Sequence, residues 1–232
     1  MLQVKWNPVS QLADNVVEPP KPARLHPSEW YKKTPAFESG KPSITEGKAD
    51  LTLKHCVPFA DAMNAGYMLE TWQEISFQPN LDGTVTYNFP TAPDIITHRD
   101  KVAMDMGPDY YPVEFIVNPP WSPELPKGWS MLYTHPMNRP ELPFFVPSGI
   151  IDCDRFVTTG NPSSLPLYLK KSFSGILPIG TPIVQMVPIK RANWESLIEP
   201  YDEVKQNRLV YEAKKRFWGG YKKFAWSKKS YK

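Results

Sequence analysis

The chain has 232 residues, a formal net charge of +3, 27 prolines and two cysteines. That length holds one full core with additional arms, and so much proline excludes long helices outside the proline-free stretches. No apolar run approaches the roughly 20 residues that span a bilayer, and the opening "MLQVKWNPVSQLADNVVEPP" lacks the basic start and apolar block of a secretion signal, so no membrane and no export are expected.

The modest net charge conceals two opposite regions. Lys205 to Lys232 carries ten bases and one acid, Glu212, while residues 1–204 carry 17 bases and 23 acids. Cys56 and Cys153, in a chain without an export signal, read as two thiols rather than a bridge. His26, His55, His98 and His135 show no ligand spacing with them, so no metal site is expected.

Residues 1–49 hold seven prolines and no sustained period, which reads as an extended arm that gains order from what it lies on, with Trp30, Tyr31 and Phe37 as its docking point. From Leu51 short apolar runs alternate with turn residues across a body of residues 50–200. "PFADAMNAGYML" is the one place there for a short helical turn, and "ISFQPNLDGTVTYNF" has the form of a hairpin turning at "NLDG". Trp121 and Trp129 read as packing residues. "GILPIGTPIVQMVPIK" reads as a turn followed by an edge strand, because its prolines cannot donate to a central ladder. The fold class expected is mainly β, an antiparallel barrel or sandwich.

Residues 201–232 begin with an amphipathic helix. Asp202 is placed as N-cap, Val204, Leu209, Val210, Tyr211 and Trp218 make an apolar stripe, and Gly219-Gly220 supply a stop. The tail then interleaves Lys214, Lys215, Arg216, Lys222 and Lys223 with Trp218, Trp226 and other rings. Docking onto a partner subunit is the preferred reading, with nucleic-acid binding and packing onto its own body as alternatives.

Two loops hold the polar residues that chemistry would need. In "SGIIDCDRF", Asp152 and Asp154 flank Cys153. The preferred reading is a strand end whose acids bond nearby backbone amides, the alternative a working site with Asp152 as base. In "THPMNRP", two prolines fix a loop that carries His135, Asn138 and Arg139, as suits a ligand or anion loop or a strand corner. Phosphate-cradling glycine loops, nucleophile elbows and His-Glu metal helices are missing from the sequence.

"WSPELPKGWSMLYTHPMNRPELPFFVPSGIIDCDRF", "SFSGILPIGTPIVQMVPIKR" and "HCVPFADAMNAGY" resemble an uncharacterised domain family of bacteria and tailed phages, over roughly residues 50–195. A more distant likeness is to dUTPases, whose β-clip fold and usual trimer it implies. "NAGYML", "THPMNRP", "GIIDCDRF" and "GTPIVQ" follow the order of four dUTPase motifs. The resemblance implies Asp152 as the water-activating carboxylate and Gln185 as a retained ligand contact. It departs where Met68 replaces a metal-placing carboxylate, where His135 to Arg139 replace a phosphate-binding Arg-Ser-Ser, and where Arg155, followed by Phe156, stands at the pyrimidine-facing tyrosine.

One aspartate cannot supply both a metal site and a donor-lined cradle. The expectation is therefore a non-catalytic structural or assembly protein, phage-encoded and virion-associated, made in the host cytoplasm. It would form a homo-oligomer, a trimer by analogy, and contact other virion or assembly proteins. The runner-up is a nucleotide-binding or nucleotide-hydrolysing relative of dUTPase that uses Mg, with Asp152 as base, Asn138, Arg139 and Gln185 on the ligand, and His135 and Asp154 as further candidates. Otherwise no cofactor is expected.

Overall fold

The alternating pattern of "GWSMLYTH" forms the strand Trp129–Thr134, whose Met131 and Tyr133 enter the core. This computed structural model describes residues 2–42, 44–45, 48–99, 102–155, 164–214 and 220–232. Strand outweighs helix, and every strand pairing is antiparallel.

The largest sheet runs in the order Gly149–Ile151, Trp129–Thr134, Pro182–Lys190, Tyr67–Glu70, Lys21–Pro22. A second has Phe144–Phe145, Leu165–Leu169, Glu114–Val117 and Ile96–Arg99, and a third Gly175–Leu177, Ile75–Pro79 and Val85–Asn88. Side chains from all three meet in one cluster that includes Met131, Val184 and Met186, Phe115 and Leu167, and Ile75 and Phe77. Two-stranded ladders, Lys5–Pro8 with Trp121–Glu124 and Ile44–Thr45 with Lys48–Ala49, complete the strands.

The hairpin at "NLDG" forms as its turn chemistry requires. Gly83 takes φ +83°, its N–H donates to the Asn80 carbonyl at 3.1 Å, and the Asp82 carboxylate accepts from Thr84 N at 2.9 Å. Trp121 is buried and donates to the Val17 carbonyl at 3.0 Å, while Trp129 packs against the core.

The expected edge strand is central. Pro182–Lys190 pairs with Trp129–Thr134 on one side and Tyr67–Glu70 on the other. Its prolines are tolerated because of where the ladders stop. Pro182 opens the strand, and Pro188 lies past Met186, the last residue matched to the 67–70 strand, so its missing N–H faces a side without a ladder. The chain reaches that crossing through Gly66 at φ +70°, where a Cβ would lie 2.0 Å from the Met186 carbonyl oxygen.

Residues 2–42 lie against their own chain. Lys5–Pro8 extends Trp121–Glu124, Ser10 and Ser28 cap the helices Gln11–Val16 and Glu29–Lys33, and the Trp30 ring meets Phe59 edge-on at 5.9 Å. The short helix expected near "PFADAMN" is Val57–Asn64, with proline in its first turn.

After Lys190 the character changes. Residues 191–202 have no regular structure, and the helix Glu203–Lys214 follows, capped by Asp202, which accepts from Lys205 N at 2.9 Å. A short helix, Gly220–Phe224, precedes residues that return to the body. Among the described residues, no helix is long and apolar enough to cross a membrane.

Candidate functional site

Asp152 follows the strand Gly149–Ile151, and a tight turn, Arg155 N to the Asp152 carbonyl at 3.0 Å, brings Asp154 back under the sheet. Both carboxylates meet Arg191, which stands just past the end of the central strand. Its guanidinium donates to Asp154 Oδ1 at 2.9 Å and contacts Oδ2 with the second nitrogen, a bidentate pairing, and lies 3.1 Å from Asp152 Oδ1. The same nitrogen that serves Asp154 Oδ1 donates to the Trp129 carbonyl at 3.0 Å and Ser130 Oγ at 3.1 Å. Gly128 N–H adds a bond of 2.7 Å to Asp154, and the Ser130 hydroxyl one of 2.6 Å to Asp152.

The acids therefore bond across the sheet to groups more than twenty residues away, where neighbouring amides were expected. The turn itself is closed by backbone, which leaves both side chains free to reach. Arg191 and the Gly128 amide hold Asp154 at about 2, and the Ser130 hydroxyl and Arg191 pull Asp152 below the usual carboxylate range. A general base works best when its pKa lies near the operating pH, so lowered basicity makes Asp152 a poor proton acceptor. Between them, Cys153 is 2% exposed, and burial pushes its thiol up to about 11, so it carries little thiolate.

The other candidates gather at the opposite end of the sheet. Val184 and Met186 point into the core, so the alternation of the strand turns Gln185 to the other face, under Val57–Asn64. There it is fully buried. Its amide nitrogen donates to the carbonyls of Ala62 at 2.8 Å and Ala65 at 2.7 Å, and its oxygen accepts from Met137 N at 2.8 Å. One side chain thus joins "NAGY", "THPMNRP" and "GTPIVQ". Met68, the cross-strand partner of Gln185, is 1% exposed.

Asn138 adopts φ 59°, a left-handed turn that asparagine tolerates, and its amide donates to the Phe59 carbonyl at 3.3 Å. Arg139 is 7% exposed, with Nη1 3.3 Å from Glu141 Oε1. His135 stacks on Phe145, and its Nε2–H donates to the Arg139 carbonyl at 3.4 Å, which leaves the buried Nδ1 as a lone pair without a partner. Burial lowers its pKa.

Hence two groupings exist where one site would need a single cluster. Asp152 sits at the level of Ser130, and Gln185 is registered with Thr134, four positions further along the strand. At about 3.3 Å per residue that is about 13 Å. Each set bonds to its own backbone and ion-pair partners, and of the two aspartates Asp154 is buried while Asp152 stays half-exposed. No three His, Cys, Asp or Glu side chains gather to hold an ion among the described residues.

In the tail, Lys222 and Lys223 are exposed on Gly220–Phe224, while the Trp226 indole and Lys229 ammonium both contact Asp61 Oδ2 at 2.7 Å. Lys215, Arg216 and Trp218 lie outside the described residues, as do Phe156 and Gly219, and so does the side chain of Lys214. Sequence reasoning missed Arg191 and Ser130, which carry no local motif. It also missed Glu114, a fully buried carboxylate that accepts from Tyr168 Oη at 2.7 Å and Ala103 N at 2.8 Å and pairs with Arg99 at 3.2 Å. The signal for Arg191 and Glu114 would be a charged residue inside or beside an apolar run, and Ser130 has none. No protein-family model matches the chain, and a search of curated proteins returns no match.

Proposed function

We propose that this chain is a non-catalytic structural subunit with a β-clip-like body, of the virion-associated kind in tailed phages, that assembles with copies of itself and with other assembly proteins through its C-terminal region. The observation that carries the reading is the exposure of Trp194 at 91%, Leu197 at 82%, Ile198 at 94% and Tyr201 at 79%, all on a segment without regular structure. Burying a large apolar side chain is worth about 1.5–3 kcal/mol, so four in sequence make a strong incentive to be covered. Val204 and Tyr211 continue the apolar surface along Glu203–Lys214 at 80% and 62% exposure.

The bonds of Asp154, Asn138 and Gln185 within their own chain, and the Ser130 and Arg191 partners of the half-exposed Asp152, support the non-catalytic half of the reading. The phage setting rests on the resemblance of "GWSMLYTHPMNRPELPF" and "GIIDCD" to that domain family. The β-clip assignment and an expected trimer rest on the order of the four dUTPase-like motifs.

Light scattering tests the assembly. The full chain is expected to exceed the 26.6 kDa of one copy, and Trp194→Ser/Leu197→Ser/Ile198→Ser to lower that mass. A nucleoside triphosphate panel with magnesium is expected to release neither phosphate nor pyrophosphate. A full chain of one-copy mass refutes the assembly, and hydrolysis abolished by Asp152→Asn refutes the non-catalytic reading.

A further inference from the structure

The last residues of the chain do not trail into solvent. The Trp226 indole N–H and the Lys229 ammonium converge on one carboxylate, Asp61 of the helix Val57–Asn64, at 2.7 Å each. Arg24 Nε donates to the Tyr231 carbonyl at 3.4 Å, the Tyr67 hydroxyl to the Lys232 carbonyl at 3.2 Å, and the Tyr231 ring meets Tyr67 edge-on at 6.2 Å. The tail lies in a groove beside Arg24, Asp61 and Tyr67, and a space of about 350 Å³ stays unfilled between the tail and Arg24, Asp61 and Asn64. Two backbone carbonyls, two rings and one cation, Lys229, of the tail are read, which is how a peptide segment is recognised.

What joins this segment to the body is of opposite character. Residues 191–202 and the helix Glu203–Lys214 leave Trp194, Leu197, Ile198 and Val204 at 80% exposure or more. Twelve extended residues span up to about 40 Å, and a twelve-residue helix adds about 18 Å. Docking within one chain leaves this apolar surface in water.

We infer that the groove around Asp61 takes the Trp226–Lys232 segment of a second copy of this chain, so that copies exchange their C-terminal segments. The inference rests on the assembly reading above and names its partner and its site. Exchange needs no new contact at the groove, because each contact within one chain is reproduced between neighbours, and it closes around a two-fold or a three-fold axis. The short tail gains its partner through the bonds described, and the apolar connection supplies the area that makes the partner another copy.

The Lys229–Asp61 pair supplies the assay on the native protein. A water-soluble carbodiimide activates the carboxyl, the lysine amine displaces the activating group, and an amide forms with no spacer, while the reagent leaves as its urea. Products are separated on a denaturing gel, each band is digested, and the Asp61–Lys229 peptide is sought by mass spectrometry, with light scattering run on the untreated sample. The peptide is expected only in bands of two or more chains, and to disappear in Asp61→Asn. Its presence in the single-chain band, or in no band, overturns exchange. If the untreated protein nevertheless exceeds one copy in mass, assembly stands and exchange alone falls. A one-copy mass removes both.

Discussion

Replacing Gln185 by leucine tests whether the residues shared by the motifs are architectural. The side chain is fully buried and makes three hydrogen bonds to backbone, with Met137 N, Ala62 O and Ala65 O. Leucine matches its volume and removes all three. Ala62 O keeps a bond from Ala65 N at 3.4 Å, so two groups, Met137 N–H and Ala65 C=O, lose the partner described here. An orphaned buried group costs about 1–3 kcal/mol, which puts the loss at about 2–6 kcal/mol, centred near 4. A typical domain has only about 5–15 kcal/mol in total, so the variant sits close to the edge of folding. With a urea slope of about 3 kcal/mol per molar, the midpoint should fall by about 1.3 M, followed by the fluorescence of the eight tryptophans. Gln185→Glu should be no better, because it turns a charged oxygen toward two carbonyls. Exposed Lys127→Ala is the control and should stay within about 0.5 kcal/mol. A shift below about 0.3 M for Gln185→Leu refutes the reasoning, since it means that the three bonds are not made or are readily replaced by water.

Gly66→Ala should destabilise by about 2–5 kcal/mol, combining left-handed backbone strain with overlap against the Met186 carbonyl, and shows as insoluble or low-melting protein in a thermal scan. At pH 8 an aromatic disulfide reagent should titrate one thiol rapidly, exposed Cys56, and reach Cys153 only in denaturant. Cys56→Ser should abolish the fast phase. Burial lowers the pKa of His26 and His135 below the ordinary histidine value of about 6.5, so the folded state binds fewer protons than the unfolded one. Their contribution is therefore complete above about pH 6.5 and is lost as pH falls from there through the lowered folded-state values. Urea midpoints across that window should decline, and His135→Phe should flatten the decline.

Much of the local structure was legible because it is written in short-range chemistry. Asn80, Asp82 and Gly83 demand a turn, Asp202 caps a helix, and the alternation of "SMLYT" sends Met131 and Tyr133 to one face whatever they pack against. The proline rule misled at Pro188. It assumes that both sides of a strand are paired along its whole length, and only the tertiary arrangement decides where the 67–70 ladder stops. The candidate site divided for the same kind of reason. Asp152 and Gln185 lie in motifs with suggestive order, but sheet register puts them four positions apart on the neighbouring strand and gives each its own partners. Arg191, the residue that occupies both aspartates, stands 37 positions after Asp154 and has no signature of its own.

The sequence by itself determined a mainly β body, its turns and caps, a basic aromatic terminus and the presence of two reactive-looking polar loops, since each follows from residue type and spacing within a dozen positions. Only the tertiary structure decided that those loops are closed by Arg191 and by backbone, that the N-terminal residues belong to the body's own ladders, and that the apolar residues from Trp194 to Tyr211 face water. Periodicity reports that a residue is apolar, but its burial depends on what the remaining chain brings against it.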